Sequence, residues 1–192
     1  VREVNPELEI RHLINAGSPV KYGDVIFEVS GKAQSILTAE RLVLNFMQRM
    51  SAIATLTRHF VEKTKHTQAK ILDTRKTTPG FRYFEKWAVR IGGGQNHRMG
   101  LYDMIMVKDN HVDFCGGIPQ AIDTVRSYLK KNNLDLKIEI ETRNLDEVQQ
   151  VFDRGEVDFV MLDNFDIPNL KKAIELINGK IKTEASGGIN LN

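Results

Sequence analysis

"LKIEIETRNLDEVQQVFDRGEVDFVMLD", residues 136–163, decides the fold class. It opens on a short strand at 136–141, runs through a helical segment at 144–154 and closes on a second strand at 158–163. Strands alternating with helices in this way lie parallel and are joined by crossover helices. "FVML" is apolar without alternation, as in a strand covered on both faces. The same unit repeats on either side. "AKILDT" (69–74) and "MIMVKD" (104–109) precede it, "IKTEAS" (181–186) follows, and helical segments at 82–91, 117–131 and 167–178 separate them. No G-x-G-x-x-G follows the first strand of the series, so the open dinucleotide-binding sheet loses support and a barrel is favoured. Five barrel-type strands are visible, where a complete barrel has about eight. The expected fold is α/β: an incomplete α/β barrel of parallel strands behind a smaller α+β N-terminal domain.

The N-terminal part reads differently. "LEIRHLIN" (8–15) and "VIFEVSG" (25–31) suggest strands around the turn-rich "AGSPVKYGD" (16–24). From Ala39 to about Lys63 no Gly or Pro intervenes, and Val43, Phe46, Met47, Met50, Ile53 and Ala54 recur at helical spacing. Thr38 is the expected N-cap. Arg41, Asn45 and Arg49 line one polar stripe of this helix. The expected division is an N-terminal domain over 1–62 and a barrel domain over 63–192, both incomplete. The chain opens at Val1 rather than Met, which suggests a fragment or a processed product.

The 192 residues are 41% apolar and 27% charged with a net charge of +2, so bulk electrostatics do not argue for nucleic acid or a membrane surface. No apolar run approaches the ~20 residues of a membrane span. Cys115 is the only cysteine, which excludes an internal disulfide and fits a reducing compartment; the expected location is the cytoplasm.

The chemistry gathers where the strands end. Asp73, Thr74, Arg75 and Lys76 follow the first strand; Lys108, Asp109, Asn110 and His111 the second; Glu141 the third; Asp163 and Asn164 the fourth; Ser186, Gly187 and Gly188 the fifth. In a βα barrel these ends meet on one rim, where active sites are built. Between Thr74 and Arg98 there are six Lys or Arg and one acid, Glu85. Arg grips carboxylate or phosphate with a two-pronged fork, and Lys supplies a compact charge. A Ser-Gly-Gly strand end offers backbone N–H groups to a phosphate. Glu141 and Asp163 suit sugar hydroxyls or Mg²⁺ held through water. The pattern points to a polyanionic substrate. A ring of salt bridges is the plainer alternative, weakened because cations outnumber their obvious acids. His12, His59 and His66 read as structural, and His111 as a rim residue with a smaller claim on ligand. Cys115 lacks an evident base, no His or Cys cluster indicates zinc, and Gly92-Gly93-Gly94 reads as a helix stop.

"LTAERLVLNFMQRMSAIAT", "DTRKTTPGFR", "GGGQNHRMGLYDMIMVKDNH", "IEIE", "VMLDNF" and "EASGGI" together resemble the quinolinate phosphoribosyltransferases, over essentially the whole chain and in the family's order. The resemblance implies transfer of the phosphoribosyl group of phosphoribosyl pyrophosphate to quinolinate with decarboxylation, giving nicotinate mononucleotide, pyrophosphate and CO2 in de novo NAD biosynthesis. It implies that Arg75, His97, Arg98 and Lys108, with Thr74 beside them, hold quinolinate, and that Arg41 reaches in from a neighbouring subunit of a homodimer or higher oligomer. By the same resemblance, Lys76 and Lys108 would face the phosphoribosyl donor, Glu141 and Asp163 its ribose, and Ser186, Gly187 and Gly188 its 5′-phosphate, with Mg²⁺ on the pyrophosphate near Glu141 and Asp163. Lys108, Glu141 and Asp163 are the expected catalytic residues, in a soluble enzyme with no nucleic-acid or membrane partner. The chain departs from the family at both ends, where members carry further residues. Two rivals remain at this point. "AGSPVKYGDVIFEVSGKAQ" looks like half of a lipoyl or biotinyl carrier with Lys32 as the modified lysine, although its second half is absent. The second is a non-catalytic or paralogous member acting on another pyridine or in molybdate-related chemistry; the Arg75, His97, Arg98 and Lys108 set argues for a dicarboxylate without singling out quinolinate.

Overall fold

The computed structural model describes residues 1–191, which fall into two compact units, 1–97 with Leu191 and 98–190. In the first unit, β1 (Glu9–His12) pairs antiparallel with β2 (Phe27–Ser30), Ile10 opposite Val29. A 32-residue helix follows, α1 (Ala33–Thr64). It starts six residues earlier than the sequence suggests, with Lys32 at the N-cap position. Thr38 therefore lies inside the helix, where its hydroxyl donates to Gln34 O at 2.8 Å. The cause is local: the residues between Gly31 and Thr38 include no helix breaker, and a threonine satisfied by the preceding turn has no need to cap.

The second helix of this unit, α2 (Arg82–Ile91), packs on α1 through a cluster of Phe46, Phe81 and Phe84, with ring centroids 4.8–5.1 Å apart. The face of α1 expected to be apolar is the one that turns inward. Close approach is enforced at Gly92, the C-cap of α2, where a Cβ would stand 2.5 Å from Ala54 O. The triple glycine thus stops the helix as expected. The expected strand 69–74 shrinks to a single parallel bridge, Leu72 with Gln95.

The second unit is the alternating one. Strands β3 (Ile105–Val107), β4 (Ile138–Thr142), β5 (Phe159–Asp163) and β6 (Lys182–Ser186) form a parallel sheet in that order. Helices α3 (Asp109–Cys115), α4 (Ile118–Asn132), α5 (Leu145–Arg154) and α6 (Ile167–Ile177) connect them. The strand expected at 104–109 is shorter, and α3 takes up Asp109 at once. The core joins Val107, Ile140, Val160 and Leu162 of the sheet to Ile118, Ile122, Val148, Val151, Ala173 and Ile177 of the helices, all between 0 and 3% exposed. Side chains alternate along a strand. The register, Glu139–Phe159–Lys182 and Glu141–Met161–Glu184, therefore places a second, charged set on the opposite face. All four strands end in the same direction, so Lys108, Thr142, Asp163 and Ser186 share one end of the sheet. Among the described residues, no helix is long and apolar enough to cross a membrane.

Candidate functional site

In the first unit the loop from Asp73 to Gly80 is tied down almost atom by atom. Lys86, with 1% of its side chain exposed, donates to Asp73 Oδ1 and to His97 O (2.9 Å). Asp73 also accepts from the His97 N–H (2.9 Å) and from Asn96 Nδ2 (2.5 Å). The Thr74 hydroxyl accepts from the Lys76 N–H at 3.0 Å, and the Thr77 N–H returns to Arg75 O at 2.9 Å. Glu85 accepts from both the N–H and the hydroxyl of Thr78 and from Arg49 Nε and Nη2. Burial pushes the Glu85 carboxyl up, but the Arg49 and Thr78 hydrogen bonds and the Arg49 charge outweigh it and hold it below its ordinary value. The loop closes in a Pro79-Gly80 turn, Phe81 N–H on Thr78 O at 2.9 Å, with Gly80 at φ +73° as a type II turn requires.

Two cations are left over by this arrangement. Arg75 is half-buried, and its Nε lacks a hydrogen-bond partner among the described residues. Lys76 is exposed and takes part in no described ion pair. A buried N–H donor without an acceptor costs free energy, and an anion is the kind of group that would satisfy it. Arg41 is exposed on α1, on the same polar stripe as Arg49, and likewise has no described ion pair. His97 is half-buried, with its backbone held at both N–H and C=O as described above.

In the second unit Lys108 stands at the end of β3 with Nζ 3.7 Å from Glu141 Oε2; Lys108 is 44% exposed and Glu141 10%. Burial pushes the Glu141 carboxyl up. Lys108 works against this, Asp163 and Asp109 add to it, and the net direction is upward. The Lys108 N–H donates to His111 Nδ1 at 3.0 Å, so His111 caps α3 through that nitrogen. Arg98 donates to Met104 O at 3.3 Å, just ahead of β3. At the end of β5, Asn164 Nδ2 donates to Asp163 Oδ2 (2.7 Å) and the Asn164 N–H to Ser186 O (2.8 Å). Gly187 and Gly188 follow at φ +81° and +67°. A Cβ at Gly187 would stand 2.1 Å from Asn164 Oδ1, so the turn beyond β6 requires glycine on both counts.

The expected residues thus fall in two groups. The first unit carries Arg41, Thr74, Arg75, Lys76 and His97; the second brings Lys108, Glu141, Asp163, Ser186, Gly187 and Gly188 to the region of the strand ends, while Arg98 is seen at Met104 O, ahead of β3. His12, His59 and His66 are exposed, and Lys32 precedes α1. Asp73 stands among the strand-end residues of the sequence reading without a role, and the other supporting side chains, Glu85, Lys86 and Asn96, are missing from the sequence-derived site set. The signal that could have found two of them is Glu85-Lys86 on a helix otherwise apolar on its inner side.

Two family models match: the C-terminal domain of quinolinate phosphoribosyl transferase over residues 53–192 and its N-terminal domain over 1–51. The chain belongs to the quinolinate phosphoribosyltransferase family. It is 47% identical to quinolinate phosphoribosyltransferase [decarboxylating] 2b, mitochondrial, of Nicotiana tabacum, over 98% of this chain and 57% of the relative. It is 41% identical to the probable nicotinate-nucleotide pyrophosphorylase [carboxylating] of Synechocystis, over 98% and 63%. The crystal structure of NadC from Streptococcus pyogenes superposes with a TM-score of 0.92 at 39% identity, over 98% of this chain and 66% of that one. The chain therefore spans less than two thirds of these family members. Membership removes the carrier reading of Lys32.

Proposed function

We propose that the full-length protein transfers the phosphoribosyl group of phosphoribosyl pyrophosphate to quinolinate and releases pyrophosphate and CO2, giving nicotinate mononucleotide for NAD biosynthesis. The observation that carries this reading is the buried Arg75 Nε, without a hydrogen-bond partner among the described residues, beside Lys76, which has no described ion pair. In this reading Arg75, with Thr74, His97, Arg98 and Lys108, holds the two carboxylates, and Lys76 and Lys108 the donor's phosphates. Ser186, Gly187 and Gly188 receive the 5′-phosphate, and Glu141 and Asp163 the ribose hydroxyls. The division into an N-terminal domain over 1–62 and a barrel domain over 63–192 belongs to the same reading; the family models meet earlier, between residues 51 and 53, and the compact units divide later, after His97.

The ring nitrogen of a pyridine is already a nucleophile, so the reaction has no need of a dedicated base. The leaving pyrophosphate gathers negative charge while the ribose carbon becomes cation-like, and fixed cations meet the first change while carboxylates tolerate the second. Glu141 and Asp163 fit Mg²⁺: they are oxygen donors, and the Asp163 charge already strengthens the hold of Glu141 on its proton. When bound, the ion supplies charge neutralisation at the pyrophosphate. Arg41 acts in the neighbouring subunit of a homodimer; mixing inactive Arg41→Ala and Lys108→Ala proteins restores activity to mixed dimers, and no recovery after proven exchange removes that role. The cytoplasm is the proposed location, supported by the unpaired Cys115, although the tobacco relative's name places that protein in mitochondria.

The deciding experiment is turnover of quinolinate against nicotinate by the full-length protein with phosphoribosyl pyrophosphate and Mg²⁺. Quinolinate-dependent release of CO2 supports the reading. Turnover of nicotinate alone overturns it.

A further inference from the structure

We infer that Glu85 and Lys86, adjacent on α2, are positioning residues that set the geometry of the Arg75–Lys76 loop and so the affinity for the pyridine dicarboxylate. The inference rests on the proposed function for the identity of that ligand and on the geometry of the first unit for everything else.

Both side chains are buried, Glu85 at 7% and Lys86 at 1% exposure. Buried charges are expensive unless paired, and pairing them rarely exceeds an apolar substitute in stability. Two consecutive ones on a ten-residue helix therefore call for an explanation other than stability. Their partners supply it. Lys86 grips Asp73, immediately before the loop, and Glu85 grips Thr78, near its far end. Between these two anchors lie Thr74, Arg75, Lys76 and Thr77. The backbone there is further closed by Lys76 N–H on the Thr74 hydroxyl and by Arg82 Nε on the Thr77 hydroxyl at 3.2 Å. Lys86 does a second thing: with Asp73 it holds His97 by its C=O and its N–H at once. The two expected carboxylate contacts, Arg75 and His97, are thus fastened to one buried ion pair.

The charge balance favours the same view. Asp73 alone would present a buried carboxylate two residues from Arg75 and compete for it. Lys86 neutralises that carboxylate from within, leaving the Arg75 guanidinium for an outside anion. Lys86 does not need to touch substrate for this; displacing a gripping residue by about 1 Å can cost about 100-fold.

The test uses the full-length protein. Quinolinate and phosphoribosyl pyrophosphate are titrated separately by calorimetry into wild type, Lys86→Met, Glu85→Ala, Glu85→Gln and the milder, surface-side Asn96→Ala. Amide exchange is followed at His97 and Thr78 without ligand. Quinolinate Kd is expected to rise about 10- to 100-fold in Lys86→Met and about 3- to 10-fold in Asn96→Ala, with donor Kd within about 3-fold. Glu85→Gln, which keeps an acceptor for Thr78, recovers most of the affinity that Glu85→Ala loses; the Thr78 amide exchanges faster in Glu85→Ala, which removes its acceptor, and the His97 amide in Lys86→Met, which releases its acceptor Asp73 from the ion pair. If Lys86→Met does not fold, Asn96→Ala and the Glu85 pair decide. Lower melting temperatures with unchanged quinolinate affinity would mean a merely structural role and overturn the inference, as would an equal loss for both ligands. A wild type that binds the donor but no quinolinate overturns the functional reading and the ligand named here, and unchanged amide exchange overturns the clamp itself, so the two failures are distinguishable.

Discussion

The two faces of the four-stranded sheet are made by the same strands, yet they solve opposite problems. Toward the helices, Ile138, Ile140, Val160 and Leu162 are all 0–1% exposed and carry no polar side-chain atom. On the other face the same strands carry Glu139, Glu141, Phe159, Met161, Asp163, Lys182 and Glu184. Phe159 has the Lys182 ammonium 5.4 Å from its ring centre and that of Lys137 at 5.8 Å. The first face is ordered by the removal of apolar surface from water. The second holds charges where a folding sequence would prefer none, and a carboxyl whose proton is bound more tightly than usual. The lesson is that stability and chemistry are separated by one residue of register: a slip of one position would exchange the two sets.

The largest expected effect breaks the first face. Val160→Asp puts an unpaired carboxylate among Ile140, Ile122 and their neighbours, a change in the class that costs roughly 4 kcal/mol or more. Denaturant titration should show the unit unfolded or nearly so. A variant that keeps wild-type stability would mean that this face is not the core.

On the second face the same kind of measurement should give the reverse. Asp163→Asn keeps the size of the side chain and loses its charge at the end of β5. If Asp163 serves the cation-like ribose or the metal, kcat falls about 100-fold or more, roughly 3 kcal/mol of transition-state stabilisation. The melting temperature should stay within a few degrees of wild type. Loss of stability in proportion to loss of rate would erase the distinction between the faces.

Much of this division was legible in the sequence, because strand burial writes itself as apolar runs and strand ends as changes of composition. "FVML" and the glycines after α2 and β6 carried their meaning locally. What was not legible needed a partner distant in the chain. The stretch 69–74 has strand composition, but only Leu72 finds a neighbour, at Gln95. Thr38 has the chemistry of a cap and also that of an interior threonine bonded to the preceding turn, and only the start of the helix tells them apart. Lys86 looks like one more cation of a basic segment until Asp73, thirteen residues away, is seen to meet it. Glu85, read as the lone acid there, is the anchor of Thr78. Barrel closure lies beyond a parallel sheet of four described strands, and the family likeness is consistent with it.

The smallest effect sharpens the comparison most, because it concerns one carboxyl on the charged face. Burial raises the Glu141 carboxyl above its ordinary value of 4.5, the Asp163 and Asp109 charges add to this, and Lys108 at 3.7 Å only partly offsets them. A raised acid binds its proton more tightly folded than unfolded. Between 4.5 and the raised value the folded state therefore carries more protons, and stability falls as pH rises through that window. Above it, ionised Glu141 is a constant cost. Glu141→Gln removes that cost and keeps the shape. Lys108 loses its partner in the variant but stays 44% exposed and keeps water around its ammonium, so the loss there is small. Thermal melts of wild type and Glu141→Gln at pH values from about 4 to 8 should therefore coincide at the acid end and separate as pH rises, the variant melting slightly higher near neutrality. If Glu141 serves the ribose as proposed, activity should fall in the same variant. A separation that is flat with pH, or one that widens toward acid, would show that Glu141 is stabilising where it stands and that the charged face holds it for structure.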